Sequence, residues 1–227
     1  MILAVTGLQR EQRIVTGPSV AAIAGGGDGK RLEALLEARV AGAHGIISIG
    51  IAGGLAPGLR AGDWVVAGAV LADDKPLATD APWTGRLVAR LPEATKGLLL
   101  GVDTIVGKPA EKAELFRTTG ALAVDMESHI VVRVAHRHRL AFAAARVVCD
   151  PAHRALPPAA RVGMKPDGRM DLPAVLRSLL MQPGQLPALV LTGWEAERSF
   201  RSLLRGHHRL GAGLCGPDVG ELPLDVA

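Results

Sequence analysis

Ala121-Leu122-Ala123-Val124-Asp125-Met126-Glu127-Ser128, with the run 140–149 and Asp150 after it, is the stretch whose reading decides the fold. It holds two apolar runs, 121–124 and 140–149, each ending in acidic residues. Apolar runs bounded in this way read as buried strands. In an α/β protein, ligand sites form at the carboxyl ends of the strands. A carboxylate there is costly to bury unless it meets a ligand, a partner or water. Asp125, Glu127 and Asp150 are therefore the first candidates for chemistry.

Outward from this centre the chain alternates short apolar runs with segments of helical period, the signature of α/β architecture. Residues 2–6 read as a first strand, 46–51 as a buried strand ending in Ala52-Gly53-Gly54, and 64–71 as another after Gly62-Asp63. Residues 98–102 and 104–106 are β-prone around Asp103. Gly25-Gly26-Gly27-Asp28-Gly29-Lys30 opens a segment with Leu32, Leu35, Leu36 and Val40 on one helical face. Pro109 suits the first turn of a helix through Phe116. Residues 126–138 form a helix that turns Ile130, Val131 and Val134 inward.

The later part of the chain reads differently. Residues 151–173 are polar and rich in Pro and Gly, as in a mobile loop over a site. Segments 172–181 and 186–204 are helical, and 211–227 has little periodicity, as in a flexible tail. No repeat or linker divides the rest, so residues 1–210 read as one domain.

The 227 residues are enough for a sizeable core. Hydrophobic residues are 48% of the chain but aromatics only 3%, so that core is built from Ala, Val, Leu and Ile. The formal charge of +4 is compatible with an anionic ligand, but too few aromatics are present to stack bases, which argues against nucleic acid as a partner. Two cysteines do not make a disulfide framework and fit a reducing cytoplasm. The start MILAVTG lacks the basic region and apolar core of a signal peptide.

Several local patterns carry a bland reading beside a functional one. The Gly25–Lys30 loop fits no Walker pattern, because Ala24 and Arg31 stand where Gly and Ser or Thr are required. Its glycines present backbone N–H groups to an anion or form a tight turn, and both readings stand. No G-x-S-x-G elbow surrounds Ser48. His136 and His138 are two apart and face different ways on a helix, and His207 and His208 sit near a helix end, so no metal site is expected. His129 reads as a satisfied helix residue and Cys149 as a small buried hydrophobe.

Four separated motifs then agree: Ser48-Ile49-Gly50-Ile51-Ala52-Gly53-Gly54-Leu55, Ala61-Gly62-Asp63-Trp64-Val65-Val66, Val124-Asp125-Met126-Glu127-Ser128 and Val148-Cys149-Asp150. Together they resemble the purine nucleoside phosphorylase / methylthioadenosine nucleosidase superfamily over about residues 1–150. The opening Thr6-Gly7-Leu8-Gln9-Arg10-Glu11-Gln12-Arg13-Ile14 and the late Trp194-Glu195-Ala196-Glu197-Arg198-Ser199-Phe200 look most like the hopanoid-associated phosphorylases, which act on adenosylhopane.

The resemblance implies a three-layer α/β/α sandwich with a twisted mixed central sheet, assembled as a homo-oligomer, with a dimer favoured. It implies cleavage of the N-glycosidic bond of a 5′-substituted adenosine, with no metal or organic cofactor and with phosphate as the co-substrate if the reaction is phosphorolysis. Asp150 takes the place of the acid that protonates the leaving purine. Glu127 takes that of the glutamate on the ribose hydroxyls, with Met126 against the sugar and Asp125 behind them. Ile51, Ala52 and Gly53 line the substrate, Ile105 replaces a base-stacking aromatic, and backbone near Val106 reads the purine edge.

The attacking group is the open point. Ser48 and Ile51 stand where phosphorylases of this superfamily carry Arg and Ser. Glu11 lies near the place of the water-activating glutamate of the nucleosidases, but one residue short, with Gln12 at the family's spacing. Arg10, Arg13 and Gly27 are the alternatives for handling phosphate or water. A lipid-sized 5′ substituent needs an apolar exit, and the late helices, with Leu186, Leu189, Val190, Leu191, Trp194, Leu203 and Leu204, supply one or a peripheral contact with a membrane. An ordinary helix packed on the core is the bland reading of the same residues.

Overall fold

A computed structural model describes residues 1–217. In chain order the elements are β1 (Ile2–Thr6), α1 (Gln9–Val15), β2 (Val20–Ala24), α2 (Gly29–Glu37), β3 (Gly45–Gly54), β4 (Trp64–Ala72), β5 (Lys75–Ala78) and α3 (Ala81–Arg90). They continue with β6 (Thr95–Gly101), α4 (Pro109–Thr119), β7 (Ala123–Asp125), α5 (Ser128–Arg137), β8 (Ala141–Asp150), α6 (Pro158–Arg161), α7 (Leu172–Met181) and α8 (Leu186–Leu210).

The strands make one mixed sheet in the order β2-β1-β3-β7-β6-β4-β5, and β8 pairs with both β3 and β4. Strands β3, β8, β4, β6 and β7 therefore pair in a closed circuit that returns to β3, so this half of the sheet curls toward a barrel. Side chains alternate across the sheet with period two. Leu3 and Val5 face a core shared with Leu32 and Leu36 of α2 and Val131 and Val134 of α5. Ile2 and Ala4 face the opposite core, with Val15 of α1, Trp83 and Leu87 of α3, and Leu203 and Leu210 of α8. Because helices cover both faces, the central strands read as continuous apolar runs rather than alternating ones. The three layers expected from the sequence are thus present, around a mixed central sheet.

Local chemistry sets the helix ends. Asp28, Asp80 and Asp171 cap α2, α3 and α7 by accepting the backbone N–H of Arg31, Trp83 and Ala174. Pro109 starts α4 and Gly120, at φ 69°, stops it. Three expectations are corrected. Residues 104–106 are not strand: the chain leaves the sheet after Gly101 and runs as a loop to α4. Helix α5 starts at Ser128 rather than Met126, because Asp125 Oδ1 draws the N–H groups of Glu127 and Ser128 into a tight turn. The flexible tail expected from residue 211 does not hold for 211–217, where Leu214 is fully buried and its carbonyl accepts from the Trp83 indole at 2.9 Å. Residues 218–227 of that expected tail lie outside the described residues.

Residues 151–171 fold over the carboxyl ends of the strands as a lid that contains α6. Its tip is fastened to the start of the chain: Gln9 N–H donates to the Gly168 carbonyl at 3.0 Å, Gln9 Nε2 to Asp167 O at 3.2 Å, and Arg31 to Pro166 O at 3.2 Å. A side chain at Gly26 would overlap the lid backbone at Pro166 and Gly168, so glycine is required there. The Gly25–Lys30 loop is therefore the tight turn. Its first two N–H groups bond Thr6 O and Gly7 O and are not offered to an anion.

Candidate active site

Strands β3 and β8 run parallel, so Ala52-Gly53 and Asp150 emerge at the same end of the sheet. The register slips there: Ala52 pairs with Val148 and Gly53 with Asp150, leaving Cys149 as the extra residue of a bulge. Bulges re-aim side chains beside functional sites, and this one sets Asp150 against Gly53, whose added Cβ would stand 3.3 Å from Asp150 Oδ2. Above this end lies a cavity of ≈ 470 Å³. Glu11, Ile51, Ala52, Gly53, Ile105, Val106, Asp125, Met126, Glu127 and Asp150 all line it. Its outer wall comes from the lid and the late helices, including Leu156, Met164, Met170, Val175 and Leu189.

At one end of the cavity, carboxylates crowd around a single cation. Glu11 is fully buried, and its two oxygens accept the backbone N–H groups of Leu8 and Ile51, each at 2.6 Å. Asp125 accepts from Glu127 N, Ser128 N and Ser128 Oγ. Glu127 is engaged by one donor, Arg146 Nη2, at 3.2 Å. Arg146 is fully buried, with Nε 2.9 Å from Asp125 Oδ2 and Nη2 2.6 Å from Ser48 Oγ. Its Nη1 has no protein partner among the described residues. An added Cβ at Gly50 would lie 2.7 Å from Glu11 Oε1 and 3.0 Å from Arg146 Nη1, so both groups converge on that glycine.

This crowding shifts the carboxyls upward. Burial raises the Glu11 carboxyl above its usual range, against the pull of Arg146 and the backbone donors. Burial likewise lifts Glu127 to about 7, with the Asp125 and Glu11 charges adding to the rise and Arg146 opposing it. For Arg146, burial disfavours the charge, but Asp125, Glu127 and Glu11 outweigh that and hold it cationic. One guanidinium faces three carboxyls, so burial favours keeping a proton within the Glu11–Glu127 pair.

At the other end, burial raises Asp150 to about 6, with Lys112 pulling the other way. The Lys112 ammonium is 2.5 Å from Asp150 Oδ2. Cys149 lines the cavity, but burial pushes its thiol well up, so it stays the small buried hydrophobe expected of it.

The remaining candidates are not brought to the cavity. Arg10 is exposed, pairs with Glu197 at 2.7 Å and stacks over Phe200 at 4.0 Å. Arg13 is also exposed, and Gly27 lies at the surface beside Met164 rather than in the lining. The reading of these three as handlers of phosphate or water is therefore corrected: α1 turns Glu11 inward and both arginines outward. Gln12, at the family's spacing, bonds Ala22 O at 2.9 Å away from the site. His129 meets Asp103 at 3.0 Å, and no metal-binding cluster occurs among the described residues.

Arg146 and Lys112 escaped the sequence reading. Arg146 had a signal, since a charge inside an apolar run of a strand covered on both faces must have buried partners. Lys112 had none, because nothing in the helix around it marks that position as inward.

A family model for the phosphorylase superfamily matches residues 5–165. Among solved structures, the chain is similar to the 5′-methylthioadenosine/S-adenosylhomocysteine nucleosidase of S. pneumoniae with a transition-state inhibitor. That likeness is at 15% identity and TM-score 0.63, over 92% of this chain and 99% of that one. The corresponding Helicobacter pylori nucleosidase gives 13% identity and TM-score 0.64 over 94% and 97%. Futalosine hydrolase of Helicobacter pylori gives 15% and 0.59 over 80% and 97%. At such identities the likeness to these structures is one of fold. No curated protein sequence matches the chain. The chain belongs to the phosphorylase superfamily.

Proposed function

We propose that this member of the phosphorylase superfamily is a nucleosidase that hydrolyses the N-glycosidic bond of a 5′-substituted adenosine and releases adenine. The observation that carries the choice of water over phosphate is the pair Glu11 and Arg146 Nη1, both buried and both meeting at Gly50. A phosphate dianion here would face Glu11, Glu127 and Asp125 with one guanidinium to offset them. A water molecule instead finds an acceptor in Glu11 and a donor in Arg146. The names of similar structures supply the substrate class, since two of them are methylthioadenosine/S-adenosylhomocysteine nucleosidases.

The chemistry divides between the two ends of the cavity. Asp150, protonated, gives its proton to the purine N7 as the bond to C1′ breaks and the base takes the bonding electrons. Glu127, ionised, accepts the ribose hydroxyls and favours the positive charge growing on the sugar. Met126 packs against the ribose. Water adds to C1′ and its proton passes to Glu11, so the products are adenine and the free sugar. Proton donation of this kind is worth about 10²–10⁴-fold.

Without substrate the two acids titrate in the reverse order for these roles, Asp150 at about 6 and Glu127 at about 7. Binding corrects this: ribose hydroxyls donate to Glu127 and lower it, and a purine that excludes water raises Asp150.

The finer substrate reading is adenosylhopane, a step in hopanoid side-chain biosynthesis. The outer wall of the cavity supports it, being lined by Val175, Leu189, Met164 and Met170. This wall continues into exposed Leu172, Leu176, Leu180, Leu186, Val190 and Trp194 on α7 and α8. No helix among the described residues is long and apolar enough to cross a membrane. The same exposed face supports peripheral contact with a bilayer, from which a lipid-linked nucleoside would be taken.

The experiment is direct. Purified protein is given methylthioadenosine and an adenosine with a long apolar 5′ tail, each with and without phosphate. Adenine release is measured and the sugar product is weighed by mass spectrometry. A free sugar, preferentially from the tailed substrate, is the expected result. A phosphorylated sugar overturns hydrolysis, and preference for the small substrate overturns the lipid reading.

A further inference from the structure

Lys112 is fully buried beneath the cavity, in the first turns of α4, and its amine is enclosed by oxygens alone. It donates to Asp150 Oδ2 at 2.5 Å, to the Asp150 carbonyl at 3.0 Å, to Pro151 O at 3.1 Å and, more loosely, to Arg154 O at 3.3 Å. Among these acceptors only Asp150 is charged. A lysine is rarely this buried unless paired, and an all-acceptor cage requires the ammonium.

The cage has a second feature. Its backbone oxygens belong to the residues where β8 ends and the lid begins, and Leu156 N–H reaches back to Gly107 O at 2.9 Å, just ahead of α4. One ammonium therefore ties together the candidate acid, the root of the lid and the helix that follows the base-end loop 104–107.

We propose that Lys112 is a positioning residue for the cleavage reaction: it holds Asp150 by Oδ2 and leaves Oδ1 to address the leaving base. A cation held against the carboxyl also favours loss of the acid's proton. The inference rests on the reading of Asp150 as the proton donor. The other ionisable groups around Asp150 are Cys149 on its own strand, Glu195 of α8, and Arg154 at the lid root, whose side chain pairs with Glu195 at 3.0 Å. Glu195 raises Asp150 and Lys112 lowers it, with burial the largest influence and upward. Among the described residues, Lys112 is the one charged group that touches the carboxyl itself.

A space-filling lysine and a positioning lysine differ in one measurable way. Asp150 works protonated, so activity falls as pH rises through its titration. Removing the Lys112 charge lets burial and Glu195 act unopposed, and that alkaline limb moves up. Removing mere bulk lowers activity without moving the limb.

The test compares wild type, Lys112→Met and Lys112→Arg in adenine release from about pH 5 to about pH 9. In Lys112→Met the plateau of kcat, which reports the substrate-bound enzyme, drops about tenfold or more, and its alkaline limb shifts up by about one pH unit. Lys112→Arg keeps the limb where it stands in wild type, whatever its plateau. A limb in Lys112→Met that superimposes on wild type overturns the proposal, as does an equal shift in both variants. If Lys112→Met does not fold, Lys112→Gln is read by the same criterion, and an unmoved limb again overturns it. A wild-type protein that releases adenine from none of the nucleosides defeats the functional reading instead, so the two failures are distinct.

Discussion

Arg146 Nη2 stands 3.2 Å from Glu127 Oε2, and Arg146 Nε stands 2.9 Å from Asp125 Oδ2, so one guanidinium spans the turn that presents Glu127 to the cavity. The turn at 125–128 is rigid for that reason. Asp125 is bound by two backbone N–H groups, a hydroxyl and a cation, whereas Glu127 keeps three of its four lone-pair sites for a ligand.

Asp150→Asn removes the transferable proton while preserving shape. We expect kcat/KM for adenine release to drop by about 10²–10⁴-fold. Lys112 loses the one charged partner it has among the described residues, so the melting temperature falls as well. Adenine release and a thermal melt check both, and a fully active variant removes Asp150 from the mechanism.

Acidic conditions stabilise the ligand-free protein. Glu127 sits at about 7 and Asp150 at about 6 in the folded chain, above their ordinary 4.5 and 3.8, so the folded state binds more protons than the unfolded one. Their stabilisation is complete below the ordinary carboxylate values and is lost as pH rises through about 6 and then about 7. Glu11, raised by burial, adds to the trend, and His207, lowered by burial, opposes it at the acid end. Glu37, Asp73 and Glu197 are shifted down by surface partners and act below this window, where pairs so exposed contribute little. The melting temperature should therefore decline from about pH 5 to about pH 8. A flat or rising trend contradicts the upward shifts of Glu127 and Asp150.

Gly50→Ala places a methyl group 2.7 Å from Glu11 Oε1 and 3.0 Å from Arg146 Nη1. Glu11 is held by two backbone N–H groups and Arg146 by Ser48 and two carboxylates, so displacing them should cost about 1–3 kcal/mol in stability and take activity near background. Gly85→Ala is the control: that glycine lies inside α3 with no atom within 4 Å of the added carbon. It should leave activity unchanged and stabilise the protein by about 0.5–1 kcal/mol in chemical denaturation.

Leu189→Asp puts a charge on the apolar wall of the cavity, away from the acids that break the bond. Turnover of a long-tailed 5′-substituted adenosine should fall about tenfold or more, since each buried CH₂ of the tail is worth about 0.8 kcal/mol. Methylthioadenosine should be affected far less. Equal losses on both substrates would show that the wall does not receive the 5′ group.

Much of this arrangement was legible in the chain. The strand 2–6 and helix 172–181 were read with their observed limits, and Glu127, Asp150 and Glu11 all reach the cavity. Strands β2 and β5 and helix α1 went unread because they are short, and α3 went unread although Trp83 and Leu87 mark its buried face at helical spacing. Residues 104–106 have the composition of a strand but serve as cavity wall, where tertiary placement overrides propensity. Glu11 and Gln12 could not be ranked by spacing. Their difference is one of direction around a helix, a rotation of about 100° that a single deleted residue changes.

The fastening of the lid has a kinetic consequence. Three hydrogen bonds hold its tip, from Gln9 N, Gln9 Nε2 and Arg31 to the backbone of residues 166–168. At about 1 kcal/mol net each, they leave the tip released on the order of one part in a hundred of the time. Such a gate keeps the cavity dry through most of a turnover, yet it opens often enough that exchange of adenine need not wait on unfolding. Replacing Gly26 by any larger residue would prop that gate, trading a sheltered reaction for a faster exit.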